Sequence, residues 1–324
     1  AADGATLKGI RIGGDLILAP GVTKDVTLVD CVIQGNIRNY GTGEVRFEAP
    51  QITPESTATK PSEVYKPGAT LDRTLEYGGK TVPIYRDRPL NVFSDVDFIW
   101  TGEENENQRR LEYLGGEFRT RYGIDVSSFP GEIDWDAVAD DDIDFAMVRV
   151  GFRGTGTGSL NADKYYEQNI RGAMRAGLET GVYFFAQAVT VEEAIEEADY
   201  VISLLDGLDI NGPVAYDWEM HDSTYRVYGT SPEMATACAV AFCERIKDAG
   251  YTPMVYGGTY VTYMKYDQGA LADYLSWYPE YKSEKSEKLC PTLVYHMDYW
   301  QFSSSRAVAG INGRVDMNIQ FIRR

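Results

Sequence analysis

Histidine and cysteine are scarce in this chain: two His, at 221 and 296, and four Cys among 324 residues. A zinc site of the usual kind would consume nearly that whole supply, so metal chemistry and a bound cofactor are not expected. A disulfide framework is excluded by the count alone. Cys238 and Cys243 lie five apart in a helical pattern, badly placed to bridge each other, and the cysteines read as buried small hydrophobes. Positive charge is also in deficit, 31 Lys and Arg against 49 Asp and Glu, for a net charge of −18. Affinity for a phosphate backbone comes mainly from Lys and Arg, so nucleic acid is a poor partner. An anionic membrane surface is an equally poor one. No apolar run reaches the roughly 18 residues needed to cross a bilayer, which argues against membrane insertion. No signal peptide is visible, and the chain opens on Ala1-Ala2-Asp3 without Met, which points to a mature or trimmed product.

What the chain has in quantity is carboxylates and rings: 23 Tyr, 12 Phe and 5 Trp. Acids and aromatic faces together are the materials of a carbohydrate-active protein. At 44% hydrophobic and 25% charged the composition is that of a globular protein, with room for one large domain or two smaller ones. The charge is uneven. Residues 1–120 hold 18 acidic and 14 basic residues, a net −4, whereas 121–324 hold 31 and 17, a net −14. Most of that surplus reads as a solvated surface.

Along the chain, short apolar stretches in 6–48 are punctuated by Gly13-Gly14, Pro20-Gly21, Gly35 and Gly41 to Gly43. This is the pattern of strands joined by tight turns. The spacing of roughly ten residues suits the rungs of a β-solenoid or a small β-sandwich. Residues 49–70, rich in Pro, Thr and Ser, read as a linker, and 71–120 return to a β-rich connecting pattern that could instead pack on the barrel as a collar. From 121 the pattern becomes α/β. Strands are expected at 123–127, 145–150, 182–188, 214–219, 254–256, 275–278, 295–302 and 317–321. Helices are expected at about 162–176, 191–206 and 231–249. Ser231-Pro232 is a helix start, and Gly177 and Gly250 sit where helices end. Eight strands with helices between the first five predict an irregular (β/α) TIM-like barrel carrying a β-rich N-terminal module.

The richest segment for chemistry is Pro213-Val214-Ala215-Tyr216-Asp217-Trp218-Glu219. An apolar strand ends in two acids two residues apart, and strand alternation puts Asp217 and Glu219 on the same side. In a barrel the C-terminal strand ends form the active face. Two close carboxyls cannot both ionise freely, so one holds its proton. Glycoside hydrolysis uses such a pair, although a calcium site or an incidental acidic strand end has the same spacing. Asp125 and Asp316 also sit in apolar strand contexts, where an unpartnered acid is costly to bury. Tyr183, Tyr256, Trp277, Tyr278 and Trp300 lie near strand ends, where they could stack on sugars or fill the core, with Tyr183 and Trp277 the preferred site-facing pair. His221 follows the acidic pair by two positions and reads first as a plain loop histidine.

Taken in order, these landmarks resemble the glycoside hydrolase family 25 lysozymes, the N-acetylmuramidases. The series begins with Gly123-Ile124-Asp125-Val126-Ser127 and Ile133-Asp134-Trp135. Asn169, Ala173, Ala176-Gly177 and Gly181-Val182-Tyr183-Phe184-Phe185-Ala186-Gln187-Ala188 follow. Asp217-Trp218-Glu219, Ala249-Gly250-Tyr251, Pro253-Met254-Val255-Tyr256, Trp277-Tyr278 and Trp300-Gln301-Phe302-Ser303 come next. Gly310-Ile311, Gly313 and Val315-Asp316-Met317-Asn318 close it. The likeness covers about 200 residues, 123–324, and leaves 1–120 outside. It implies cleavage of the β-1,4 bond between N-acetylmuramic acid and N-acetylglucosamine, with peptidoglycan glycan strands as partner. It also implies a secreted or cell-surface location. By the same resemblance Glu219 is the general acid. Asp217 is its partner, either orienting the substrate N-acetyl group or stabilising positive charge, and Asp125 and Asp316 are further active-site carboxylates. Phe184 departs from the many relatives with His there. A non-catalytic wall-binding protein and a chitinase-like hydrolase are the alternatives. Residues 1–120 are the candidate for cell-wall or surface attachment.

Overall fold

The computed structural model describes residues 3–8, 11–12, 16–29, 32–33, 37–48, 59–68, 70–102 and 109–324. The chain forms two compact units, Ala1–Thr57 and Ala58–Arg324. In the first, Thr6–Lys8, Val26–Val29 and Val45–Glu48 form one parallel ladder. Arg11–Ile12 pairs with Val32–Ile33, and Leu16–Leu18 with Ile37–Asn39, again parallel. Thr6 lies beside Thr27, Leu16 beside Ile37 and Val26 beside Val45, so the chain winds round between partners instead of folding back. Leu16, Leu18, Val22, Val26 and Leu28 are buried together inside.

The expected linker is described only in part. Within it Pro61–Val64 is a short helix, while residues 49–58 and 69 lie outside the described residues. The stretch 71–120, expected as a connecting segment, packs into the same unit as the barrel. It contributes two antiparallel pairs, Leu71–Tyr77 with Lys80–Tyr85 and Phe98–Thr101 with Arg110–Tyr113. Their inward residues Val82, Ile84, Phe98 and Leu111 join the barrel's outer hydrophobic layer. A lone two-stranded pair cannot bury an apolar face by itself, which is why this segment needs the barrel.

The second unit is built on a closed eight-stranded α/β barrel. Its strands are β1 (Phe118–Val126), β2 (Phe145–Arg153), β3 (Glu179–Ala186), β4 (Val214–Trp218), β5 (Pro253–Tyr256), β6 (Leu275–Pro279), β7 (Tyr299–Arg306) and β8 (Val315–Arg323). β1 to β7 run parallel, and β8 closes the ring antiparallel to both β7 and β1. Helices α1 (Trp135–Asp140), α2 (Tyr166–Arg175), α3 (Val191–Leu204), α4 (Pro232–Asp248) and α5 (Thr259–Met264) follow the first five strands. The irregular last third expected from the sequence is thus two strands without crossover helices and a reversed final strand. The Ser231 hydroxyl accepts the Met234 N–H at 3.2 Å, capping α4. Gly177 and Gly250 end α2 and α4 at φ +85° and +90°, a backbone that favours glycine.

Strand alternation divides the core in two. Outward residues such as Tyr216, Trp218, Tyr278, Trp300 and Phe302 pack in the layer around the barrel. Inward ones, among them Phe145, Met147, Ala215, Met254, Trp277 and Tyr299, fill the barrel interior. Above that plug, toward the C-terminal strand ends, the inward positions turn polar.

Candidate active site

β4 delivers the first pair. Ala215 and Asp217 face inward while Val214, Tyr216 and Trp218 face out, so the strand phase fixes where Asp217 points. Trp218 locks the strand end by donating its indole N–H to the Ala188 carbonyl at 3.1 Å. One residue on, the Glu219 carbonyl accepts the Gln187 Nε2 hydrogen at 2.8 Å, which pins the backbone that carries the second acid. Asp217 is buried, and the Glu219 carboxyl is its neighbour at the strand end. Burial first, then the Glu219 charge, push the Asp217 carboxyl well above the ordinary range, against the opposing pull of Arg149. Neighbouring carboxyls do not ionise independently, and here it is Asp217 that is driven toward its neutral form. Glu219 is the more exposed, its side chain 24% accessible.

The other two acids come from the barrel's seam. Asp125 on β1 and Asp316 on β8 are direct cross-strand partners, which puts both side chains on the same face. Asp125 Oδ2 accepts hydrogens from Gln301 Nε2 and Asn318 Nδ2, each at 2.8 Å. Even so, burial and then the Asp316 charge raise its carboxyl well above the usual range. Burial raises Asp316 to about 6, with Glu219 adding to the shift. Glu219 contributes charge to Asp217, Asp125 and Asp316 alike, so the four expected acids share one electrostatic site.

Three of the five expected aromatic residues belong to this site. Trp277 stands edge-on to Tyr183 at 5.8 Å and to Tyr256 at 4.8 Å, and its indole N–H donates to Asn318 Oδ1 at 2.8 Å. The Tyr256 hydroxyl donates to Gln301 Oε1 at 3.1 Å. Tyr278 and Trp300 are not brought there. Each neighbours an inward residue on its strand, so alternation turns it out. Tyr278 bonds Thr259 in the outer layer, and Trp300 donates to the Glu280 carbonyl.

The structure adds three residues to which the sequence assigned no part, Gln301, Arg149 and Tyr281, and a fourth, His221, for which the sequence left substrate contact as the second reading. Gln301, on β7, ties Asp125 to Tyr256 and Tyr281. Its place in the Trp-Gln-Phe-Ser landmark was the available signal. Arg149 continues the inward series Phe145, Met147 on β2, and an Arg in phase with buried apolar residues was the clue. It is held by Asp163 at 2.8 Å and faces Asp217 and Tyr183. Tyr281 lies on a loop, where no pattern could place it. His221 sets its Nε2 2.6 Å from Glu219 Oε2, a closer involvement than a plain loop histidine. Beside Glu219 a cleft of about 640 Å³ opens, lined also by His221, Tyr228, Tyr256, Tyr260 and Tyr281. A partly apolar trough with neighbouring carboxyls at one wall can seat a sugar chain and supply a proton to one of its bridging oxygens.

The family model for Glycosyl hydrolases family 25 matches residues 124–311, more than half of the chain. The chain belongs to this family. Its family 25 segment is 25% identical over 197 residues to the autolytic lysozyme of Clostridium acetobutylicum, covering 60% of this chain and 54% of that protein. The chain thus spans about half the length of that relative. Among solved structures it resembles the bacterial lysozyme of Streptomyces coelicolor, at 25% identity and a TM-score of 0.50, covering 61% of this chain and 90% of that one. The spore cortex lytic enzyme SleM of Clostridium perfringens shares the fold, at 23% identity and a TM-score of 0.53, covering 62% and 67%. The family 25 match begins at Ile124 and leaves the whole N-terminal unit outside it.

Proposed function

We propose that residues 121–324 are a muramidase that cleaves the β-1,4 bond between N-acetylmuramic acid and N-acetylglucosamine in peptidoglycan. The carrying observation is the neighbouring Asp217 and Glu219 carboxyls at the mouth of a closed barrel, Glu219 lining a sugar-sized cleft. Family membership and the lysozyme relatives support the same reading.

In this reading the glycan lies along the cleft with its bridging oxygen at Glu219. A substrate N-acetyl N–H donated to Asp217 favours the ionised form of that acid, and the proton it gives up passes to Glu219. Glu219 then protonates the leaving oxygen as the C–O bond breaks. The Asp217 carboxylate meets the positive charge that develops on the sugar ring or on its N-acetyl group. Asp125 and Asp316 lie on the same face, where Asp316 adds negative potential once it ionises above about pH 6, and Tyr183, Tyr256 and Trp277 shape its floor. Arg149, through Asp217, limits how far that acid is driven to stay neutral.

The barrel reads as a TIM-like variant, and the protein as secreted or cell-surface, because its substrate lies outside the membrane. The parallel windings of residues 1–48 read as a small β-solenoid module for wall or surface attachment, joined through 49–70. The barrel half, at net −14, gains no long-range attraction from an anionic wall, so a module at about neutral charge is the better anchor. The test is digestion of a defined peptidoglycan with the new reducing ends identified by mass spectrometry. N-Acetylmuramic acid ends are expected. Hydrolysis of chitin oligomers in preference to peptidoglycan, or binding without product, would overturn the assignment.

A further inference from the structure

α5 separates two cavities, and the muramidase reading uses only one of them. Thr259, Tyr260 and Val261 line the catalytic cleft, whereas Thr262, Tyr263 and Met264 line a second cavity of about 440 Å³. That cavity lies where the 71–120 segment meets the barrel's outer layer, with Tyr65, Pro83, Tyr85 and Pro232 among its walls. Two ammonium groups belong to it, Lys80 from the strand Lys80–Tyr85 and Lys265 from the end of α5. We infer that it is a second, non-catalytic binding site, which takes the carboxylate-bearing peptide stem of peptidoglycan on Lys80 and Lys265. The inference rests on the muramidase reading for the identity of the ligand, but not for its negative charge.

The charge arrangement carries it. Lys265 is only 9% accessible, and its Nζ donates to the Thr230 carbonyl at 2.7 Å. An ammonium has three hydrogens, so this bond leaves two for a ligand. Among the described residues neither lysine forms an ion pair. Burial and then the Lys80 charge push Lys265 below its ordinary value, and no acid pulls it back. A buried ammonium beside a second one costs stability, and a fold that keeps the two in one cavity has a use for a counter-ion there. The two acids that line the cavity are otherwise engaged. Asp267 accepts the Gly68 N–H at 2.9 Å and the Gly269 and Ala270 N–H groups at 3.0 and 3.2 Å. Glu233 stands exposed in the first turn of α4, where a carboxylate meets the helix's positive end. The sugars of peptidoglycan are uncharged once the lactyl group is joined to a peptide, so the anionic part of that polymer is the stem. Reach agrees with this. A helix is about 10 Å across, and an extended peptide spans that in about three or four residues. A stem leaving a strand in the catalytic cleft can therefore cross α5 into the second cavity, where the rings and prolines take its apolar parts.

The test is calorimetric titration of the full chain, carrying Glu219→Gln to stop turnover, with two probes. One is a soluble disaccharide–peptide with free carboxylates, and the other is the same molecule with its carboxylates amidated. Amidation is expected to weaken binding about fivefold, and adding Lys80→Glu should weaken the free-carboxylate probe at least as much and abolish the difference between the two. Lys247→Glu makes the same change in net charge about 21 Å along α4 from Glu233, and it should bind both probes as the parent does. Equal affinity of the parent for both probes, or an equal loss in Lys247→Glu, overturns the inference. Tighter Lys80-dependent binding of a glycerol phosphate polymer overturns the stem as ligand and gives the cavity to a phosphate-bearing wall polymer. With Glu219 intact, Lys80→Glu should raise KM on whole peptidoglycan severalfold and leave kcat/KM unchanged on strands stripped of their stems. An equal loss on stripped strands overturns the inference. Release of no product from either substrate by the parent sinks the muramidase reading instead, while the titration decides the second cavity by itself.

Discussion

Two groups of buried acids sit on opposite sides of the barrel wall, and they are handled in opposite ways. Outside, Glu197 on α3 is fully buried but receives the Arg153 Nε hydrogen at 2.7 Å and the Gln187 backbone N–H at 3.0 Å. Burial still raises its carboxyl to about 7, with Arg153 pulling the other way. Next to it Glu193 forms a two-pronged pair with Arg226, both contacts at 2.8 Å, and is held below the usual range despite burial. Inside, Asp125, Asp217 and the half-buried Asp316 have amides, one another and a single guanidinium, Arg149, which is itself paired with Asp163, for company. Acids matched by arginines hold a structure together. Acids crowded without matching cations cost stability, and a fold keeps them where chemistry needs a proton held at neutral pH. The two groups are joined, because Gln187 is gripped by Glu197 and Arg226 and itself grips the Glu219 carbonyl.

The sharpest way to break this contrast is on the inner side. Glu219→Gln is expected to lower turnover of peptidoglycan by about three orders of magnitude while melting as the parent does, because it removes a transferable proton and little packing. Full activity in that variant would mean the inner acids are not machinery. On the outer side, Arg153→Ala leaves Glu197 buried and unmatched, and chemical denaturation should show a loss of about 3 kcal/mol. The inner acids should answer with the opposite sign. Asp316, raised to about 6, favours the fold while protonated, and that advantage is lost as pH rises from 3.8 toward 6. Asp316→Asn should therefore melt about 2–4 °C higher than the parent at neutral pH and equal to it near pH 4, at a cost in activity. The smallest effect belongs to the exposed pair. His221→Gln should change stability by no more than about 0.5 kcal/mol, since a contact so open to water is screened.

How far the sequence could be read followed from periodicity. Asp217 and Glu219 were legible because an apolar strand ending in acids has one sensible orientation. Gly177, Ser231 and Gly250 marked helix ends through backbone preferences that do not depend on the rest of the fold. The phase of β6 and β7 was not legible. Trp277-Tyr278 and Tyr299-Trp300-Gln301 carry large rings on both faces, as buried strands do, so only the assembled ring shows that Trp277, Tyr299 and Gln301 point in. The attachment of 71–120 to the barrel was one of two readings the sequence left open, because short strand pairs look the same whether or not they rest on something. His221 was unreadable for a related reason: its meaning lies in one distance across a turn.

The reversed last strand has an implication for when the site comes into being. Asp316 and Asn318 both arrive on β8, and Asn318 is one of the two amides that hold Asp125. Until β8 slides between β7 and β1, the ring stands open, Asp125 lacks an anchor and its cross-strand partner, and Trp277 lacks its indole acceptor. In the muramidase reading competence is thus conferred by the last strand of the barrel, and a chain clipped before Val315 would carry the acid pair of β4 without a complete site.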